Sequence, residues 1–130
     1  MEFRNKGSSV VSKEIINIFC NCKLGEKMYT KNNKKYIDLD LSAETTKRIK
    51  DIHESFKKHI KNVMVHDPLS GTVLRVKVPW NNKRVVCKTD EHFYEIEKGD
   101  RIKVNIEFCG VWNVGDYSGV AWKLTLINKI

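Results

Sequence analysis

From Gly71 onward, apolar residues recur at every second position, and this period constrains the fold more than any other feature of the chain. In "TVLRVKVPW", Leu74, Val76 and Val78 fall on one side, with Arg75 and Lys77 on the other. In "RIKVNIEF", Ile102, Val104, Ile106 and Phe108 alternate with Arg101, Lys103, Asn105 and Glu107. Successive side chains of a strand point to opposite faces, so each segment offers one face to a core and one to solvent. "RVVCKT" reads as a further strand and "EHFYEIEKGD" as a loop or short helical turn. The closing stretch "GVWNVGDYSGVAWKLTLI" reads as a hairpin turned at residues 113–116.

The first half carries two weaker alternating runs. "YIDLDL" sets Ile37, Leu39 and Leu41 against Tyr36, Asp38 and Asp40. "EIINIFCNCKL" sets Ile16, Ile18, Cys20 and Cys22 on one side; "GEK" then reads as a turn, and "KNNKK" as a second, lysine-rich one. Between the halves the period changes. Ser42 reads as a helix N-cap, followed by Ala43 and Glu44. Ile49, Ile52, Phe56, Ile60 and Val63 follow at spacings of three and four, which predicts one amphipathic helix over residues 42–64. Lys47, Arg48, Lys50, Lys57, Lys58 and Lys61 cover its remaining surface, as a solvated face first and a contact surface second. Strands, one helix, then strands predict an α+β chain. A small oligonucleotide/oligosaccharide-binding-like barrel of about five or six strands is the commonest such solution. Residues 1–12 read as a flexible lead-in and 13–130 as one domain.

The 24 Lys and Arg outnumber the 16 Asp and Glu, for a formal charge of +8. That excess favours an anionic partner, most commonly nucleic acid. The N-terminus has no apolar run of signal-peptide length, and no segment approaches the roughly 20 apolar residues of a spanning helix. The expectation is an intracellular protein with no membrane partner, in which thiols stay reduced. Cys20 and Cys22 share a strand face without paired C-x-x-C spacing, so they read as small buried thiols and no metal is assigned. There is no glycine-rich phosphate loop, serine elbow or metal-protease helix. Asp38 and Asp40 share a strand face and are the pair on which a small metal-dependent nuclease would have to be built, with no third ligand evident. No enzyme activity and no cofactor are therefore expected.

"EKGDRIKVNIEF" resembles the segment that opens a late strand in many oligonucleotide-binding barrels. With "GVWNVGDYSGVAWKLTLI" at its close, the span 70–127 resembles the single-stranded-DNA-binding barrels of large DNA viruses and phages. The resemblance implies sequence-tolerant binding of single-stranded DNA in viral or phage replication, recombination or repair. It also implies action at viral replication sites in the host cytoplasm or nucleus. RNA is a second candidate ligand, and a homo-oligomer is compatible with strand coating.

Such binding needs cations for phosphates and aromatic faces for bases. Arg75, Lys77, Lys103 and Lys123 lie opposite the apolar parity of their strands, and Lys83, Arg84 and Lys88 extend the set around one turn. Trp80, beside a turn, and Tyr117, on outward parity, are the preferred stacking residues, with Phe93, Tyr94 and Tyr36 behind them. Trp122 shares parity with Val120, Leu124 and Leu126 and is assigned to the core. Trp112 has core parity unless a bulge at Gly110 re-aims it, so it stays in the candidate set. Two other classes are kept: a basic viral interaction module for an acidic protein, and the metal-dependent nuclease.

Overall fold

The computed structural model describes residues 3–6, 9–12, 15–81, 84–85, 88–89 and 93–130. In chain order its elements are β1 (Phe3–Lys6), β2 (Ser9–Ser12), β3 (Asn17–Lys31), β4 (Lys34–Asp40), α1 (Ala43–Phe56), β5 (Met64–His66), β6 (Leu69–Ser70) and β7 (Val73–Lys77). β8 (Trp80–Asn81), β9 (Arg84–Val85), β10 (Lys88–Thr89), β11 (Arg101–Val114) and β12 (Tyr117–Lys129) follow. Five of the strands close on themselves in the order β11-β3-β4-β7-β12, with β12 returning to β11. The result is a closed barrel, mostly strand, with one helix, consistent with a small oligonucleotide-binding-like α+β fold. β7 and β12 run parallel; the other four barrel pairings are antiparallel.

The alternation in the sequence builds this barrel. Ile37, Leu39, Leu74, Val76, Ile102, Val104, Ile106, Trp122 and Leu124 are all buried inside it. At about 25 cal/mol per Å² of apolar surface, this burial is the main force holding the five strands together. Two irregularities bend β11 against β12. Between Asn105 and Ile106 the register slips at Thr125, which exchanges hydrogen bonds with Asn105; Leu126 is thereby turned to partial exposure and Ile127 becomes the buried residue. Between Phe108 and Gly110 the register slips again, and Gly110 adopts φ 89°, a left-handed value that favours glycine.

β3 runs continuously through "GEK" where a turn was expected, with register shifts between Leu24 and Tyr29. The irregular stretch is satisfied from outside the ladder: Leu24 donates its N–H to Asp100 O, and Gly99 donates to Leu24 O. Asn32 (φ 52°) and Asn33 (φ 63°) form a two-residue left-handed turn that joins β3 to β4. On the other edge of β12, β5, β7 and β10 take successive parallel positions at residues 117–119, 123 and 126–127. The β8–β9 hairpin lies between β7 and β10 in the chain. Within the segment read as a lead-in, β1 pairs with β2, and β2 pairs with β11 at Val111 and Trp112.

Ser42 caps α1 as expected, its hydroxyl accepting from Thr45 N. Ile49 and Phe56 are fully buried, and Phe56 meets Phe108 edge-on at 4.7 Å. The helix ends at Phe56, followed by one 3₁₀ turn at Lys57–His59, not at residue 64. The β11–β12 hairpin accounts for the difference. Asn113 Nδ2 donates to His59 O, Asn113 Oδ1 accepts from Lys61 N, and Ser118 Oγ accepts from Asn62 N. These bonds replace helical ones and steer residues 64–66 into pairing with β12, so Val63, read as inward-facing, is 96% exposed. Among the described residues no helix is long and apolar enough to cross a membrane.

Candidate nucleic-acid interface

The Asn32–Asn33 turn sets the register of β3 on β4 and brings Tyr29 opposite Tyr36, Thr30 opposite Lys35, and Lys31 opposite Lys34. Across the next pairing Tyr36 faces Lys77, and across the next Lys77 faces Lys123. Tyr29, Tyr36, Lys77 and Lys123 thus form one row around the barrel, on the parity opposite the core residues Ile37, Val76 and Trp122. One residue of alternation away, Arg75 stands opposite Asp38.

Within this row Tyr36 is flanked by an aromatic ring and a cation. The Tyr36 ring lies 6.0 Å from that of Tyr29, and the Arg75 guanidinium sits over it at 5.3 Å. Tyr29 donates its hydroxyl to Asp38 Oδ1 at 2.6 Å; burial and this carboxylate push the phenol pKa up, so Tyr29 stays neutral. On the alternate parity, at the start of β4, a separate pair forms: the Lys35 ammonium lies 5.2 Å from the centre of the Trp80 ring and also donates to Thr30 Oγ1. Val78 donates its N–H to Lys35 O, which fixes the chain leading to Trp80 beside the end of β4. Trp80 is 37% exposed. Lys123 is held at 3.0 Å by Glu107, and this partner raises its pKa. An anion approaching Lys123 would have to compete with Glu107.

The remaining candidates fall elsewhere. Lys103 is exposed on β11, its ammonium 5.8 Å from the Phe19 ring, and β3 separates it from β4 on that side of the barrel. Trp112 is turned out of the core: after the slip at Gly110 it is Val111 that is buried, and Trp112 lies across Gly119. A Cβ at Gly119 would stand 2.5 Å from Trp112 Cζ2, so the indole needs glycine beneath it. His66 stacks on Trp112 at 5.8 Å and meets Tyr117 at 5.3 Å, so Trp112 and Tyr117 belong to a second aromatic group at the 115–116 turn. Tyr117 is 46% exposed. Trp122 is buried as expected and donates its indole N–H to His53 Nε2 at 2.9 Å. Lys83 lies outside the described residues, and Arg84 and Lys88 are placed by their backbones alone.

Sequence reasoning passed over Tyr29, Lys31, Lys34 and Lys35 as site residues. The signal was present: two asparagines suited to a left-handed turn imply that "KMYTK" and "KKY" face each other in mirror order. Reading "GEK" as a turn cut Tyr29 away from that hairpin. Of the carboxylates considered for metal chemistry, Asp38 accepts from Tyr29 and Asp40 accepts from Thr72 Oγ1 at 2.8 Å. No group of three or more His, Cys, Asp or Glu residues gathers at metal-ligand distance among the described residues. Cys20 and Cys22 share one face and are free thiols, Cys22 buried and Cys20 half-buried. Comparison with protein-family models, with curated proteins and with solved structures finds no match to this chain.

Proposed function

We propose that the outer face of β3, β4 and β7 binds single-stranded nucleic acid, single-stranded DNA in the first instance, without sequence preference. The observation that carries this reading is the row itself. An outward tyrosine, Tyr36, is flanked by Tyr29 and Arg75, with Lys77 beside it, and the Lys35–Trp80 pair adds a second cation and ring at the start of β4. Bases stack on aromatic faces whatever their identity, and cations beside those faces track the phosphates. In oligonucleotide-binding barrels the second and third barrel strands, with the loops after the first and fourth, form the binding face. Here those strands are β4 and β7, and the loops are the Asn32–Asn33 and Gly115–Asp116 turns.

The reading assigns no reaction to the chain. The resemblance of residues 70–127 to viral and phage single-strand-binding barrels supports a role in DNA replication, recombination or repair. The test is gel shift of a labelled oligo-dT with the parent protein and with Tyr36→Ala, Arg75→Ala and Trp80→Ala. Each variant is expected to bind about tenfold more weakly, as removal of roughly one stacked base or charge-assisted hydrogen bond requires. Unchanged binding in all three would overturn the assignment of this face.

A further inference from the structure

A cleft of about 610 Å³ opens between α1 and the segment that follows it, and it shares no residue with the row on β4 and β7. Volumes of this size are typical of small-molecule sites. Ile60, Val65, Leu69 and Val120 supply apolar walls. His53 reaches the cleft from α1, and its protonation is set from behind. The Trp122 indole can only donate, so the His53 Nε2 that receives it carries no proton, and the ring's proton resides on Nδ1. Burial lowers the pKa of His53, which keeps the ring in this neutral form.

Beside that N–H stands a fixed acceptor. Asp67 Oδ1 is oriented by the Leu69 backbone N–H at 2.9 Å and lies 3.9 Å from His53 Nδ1, too far for a direct hydrogen bond between them. A donor and an acceptor held side by side above apolar walls complement the adjacent acceptor and donor on a nucleobase edge. Lys50, Glu54 and Lys57 line the same cleft. Spaced three and four apart, they follow one side of the helix and its terminal turn. Two ammonium groups suit a phosphate, and the carboxylate between them in sequence suits sugar hydroxyls.

We infer that this cleft is a nucleotide-binding site: His53 and Asp67 read the base edge, the aliphatic walls cover the base, and Lys50 and Lys57 hold the phosphate. The occupant is either a free mononucleotide or a base turned out of a bound strand, and both present the same chemistry. The probe is AMP, titrated into the ¹⁵N-labelled protein while the Trp122 indole N–H signal is followed. That signal is expected to shift with AMP and to stay fixed with ribose 5-phosphate or inorganic phosphate. N6,N6-dimethyl-AMP, which lacks the exocyclic donor, should bind about tenfold more weakly, as should AMP to the Lys50→Ala/Lys57→Ala variant. Displacement of AMP by oligo-dA would assign the cleft to a strand base, and failure to displace it would assign the cleft to free nucleotide. An AMP titration that leaves the indole signal unmoved would overturn the site, even if oligo-dT binds normally to the parent. Equal binding of AMP and its dimethyl analogue would overturn the base-edge contact. AMP binding without any oligo-dT binding would instead keep the cleft and remove the strand-binding row.

Discussion

Two tryptophans show how environment separates similar side chains. Trp122 and Trp80 are both indoles, but Trp122 is buried and bonded to His53, whereas Trp80 is partly exposed beside Lys35. Trp122→Phe should lose stability, because it strands His53 Nε2 without its donor and leaves a void. The cost is expected to be about 1–3 kcal/mol by urea unfolding, with little change in oligonucleotide affinity at equal folded fraction. His53 makes a pH prediction. Its folded pKa lies below the ordinary value of 6.5, so below that pH the unfolded chain takes up a proton that the folded chain resists. Stability is fully present above about pH 6.5. It declines as pH falls from there toward the lowered folded value. In His53→Gln, whose amide oxygen still accepts from Trp122, the drop in urea midpoint between pH 7 and the acid side of that window should shrink. An identical drop in both proteins would refute the assignment.

At the scale of elements, the outcome turned on hydrogen bonds that join distant parts of the chain. The alternation of "RIKVNIEF" and "YIDLDL" was legible because each inward residue is buried by the barrel irrespective of detail. The helix start was legible because Ser42 acts on its own neighbours. Its end was not, because Asn113 and Ser118, some fifty residues away in sequence, take the backbone groups of residues 59–62. The orientation of Trp112 depended similarly on a register slip at Gly110, which parity admitted but did not decide. The row at Tyr36 was half legible: Tyr36, Arg75 and Lys77 show outward parity, but their meeting with Tyr29 requires β4 to lie between β3 and β7. Asn113→Ala should therefore loosen β5 selectively. Amide exchange at residues 61–66 is expected to speed up well before that of β11, and uniform protection would contradict the role given to Asn113. Gly119→Ala is expected to cost about 1–3 kcal/mol, since the added carbon collides with the Trp112 ring and the His66 carbonyl. A silent Gly119→Ala in urea unfolding would show that the indole is free to move.

For the whole molecule, net charge alone does not select a binding face. The net charge of +8 attracts polyanions from any side, but the row sets Arg75 and Lys77 beside the half-buried rings of Tyr36 and Tyr29, with Lys35 and Trp80 at the start of β4. Lys103 sits across β3 from it, and Lys123 is engaged by Glu107. Charge alone would bind duplex and single strand alike; stacking on Tyr36 and Trp80 requires bases out of a duplex. The decisive measurement is fluorescence polarisation of labelled oligo-dT and of its duplex with oligo-dA, each titrated at several salt concentrations. Tighter binding to oligo-dT is expected at every salt, with log affinity falling linearly against log salt. The slope is expected to be reduced in magnitude by about 0.7 in Lys77→Ala, because one fewer phosphate of the single strand is neutralised. Equal affinity for duplex and single strand, or no binding of either at low salt, would contradict single-strand binding by this row.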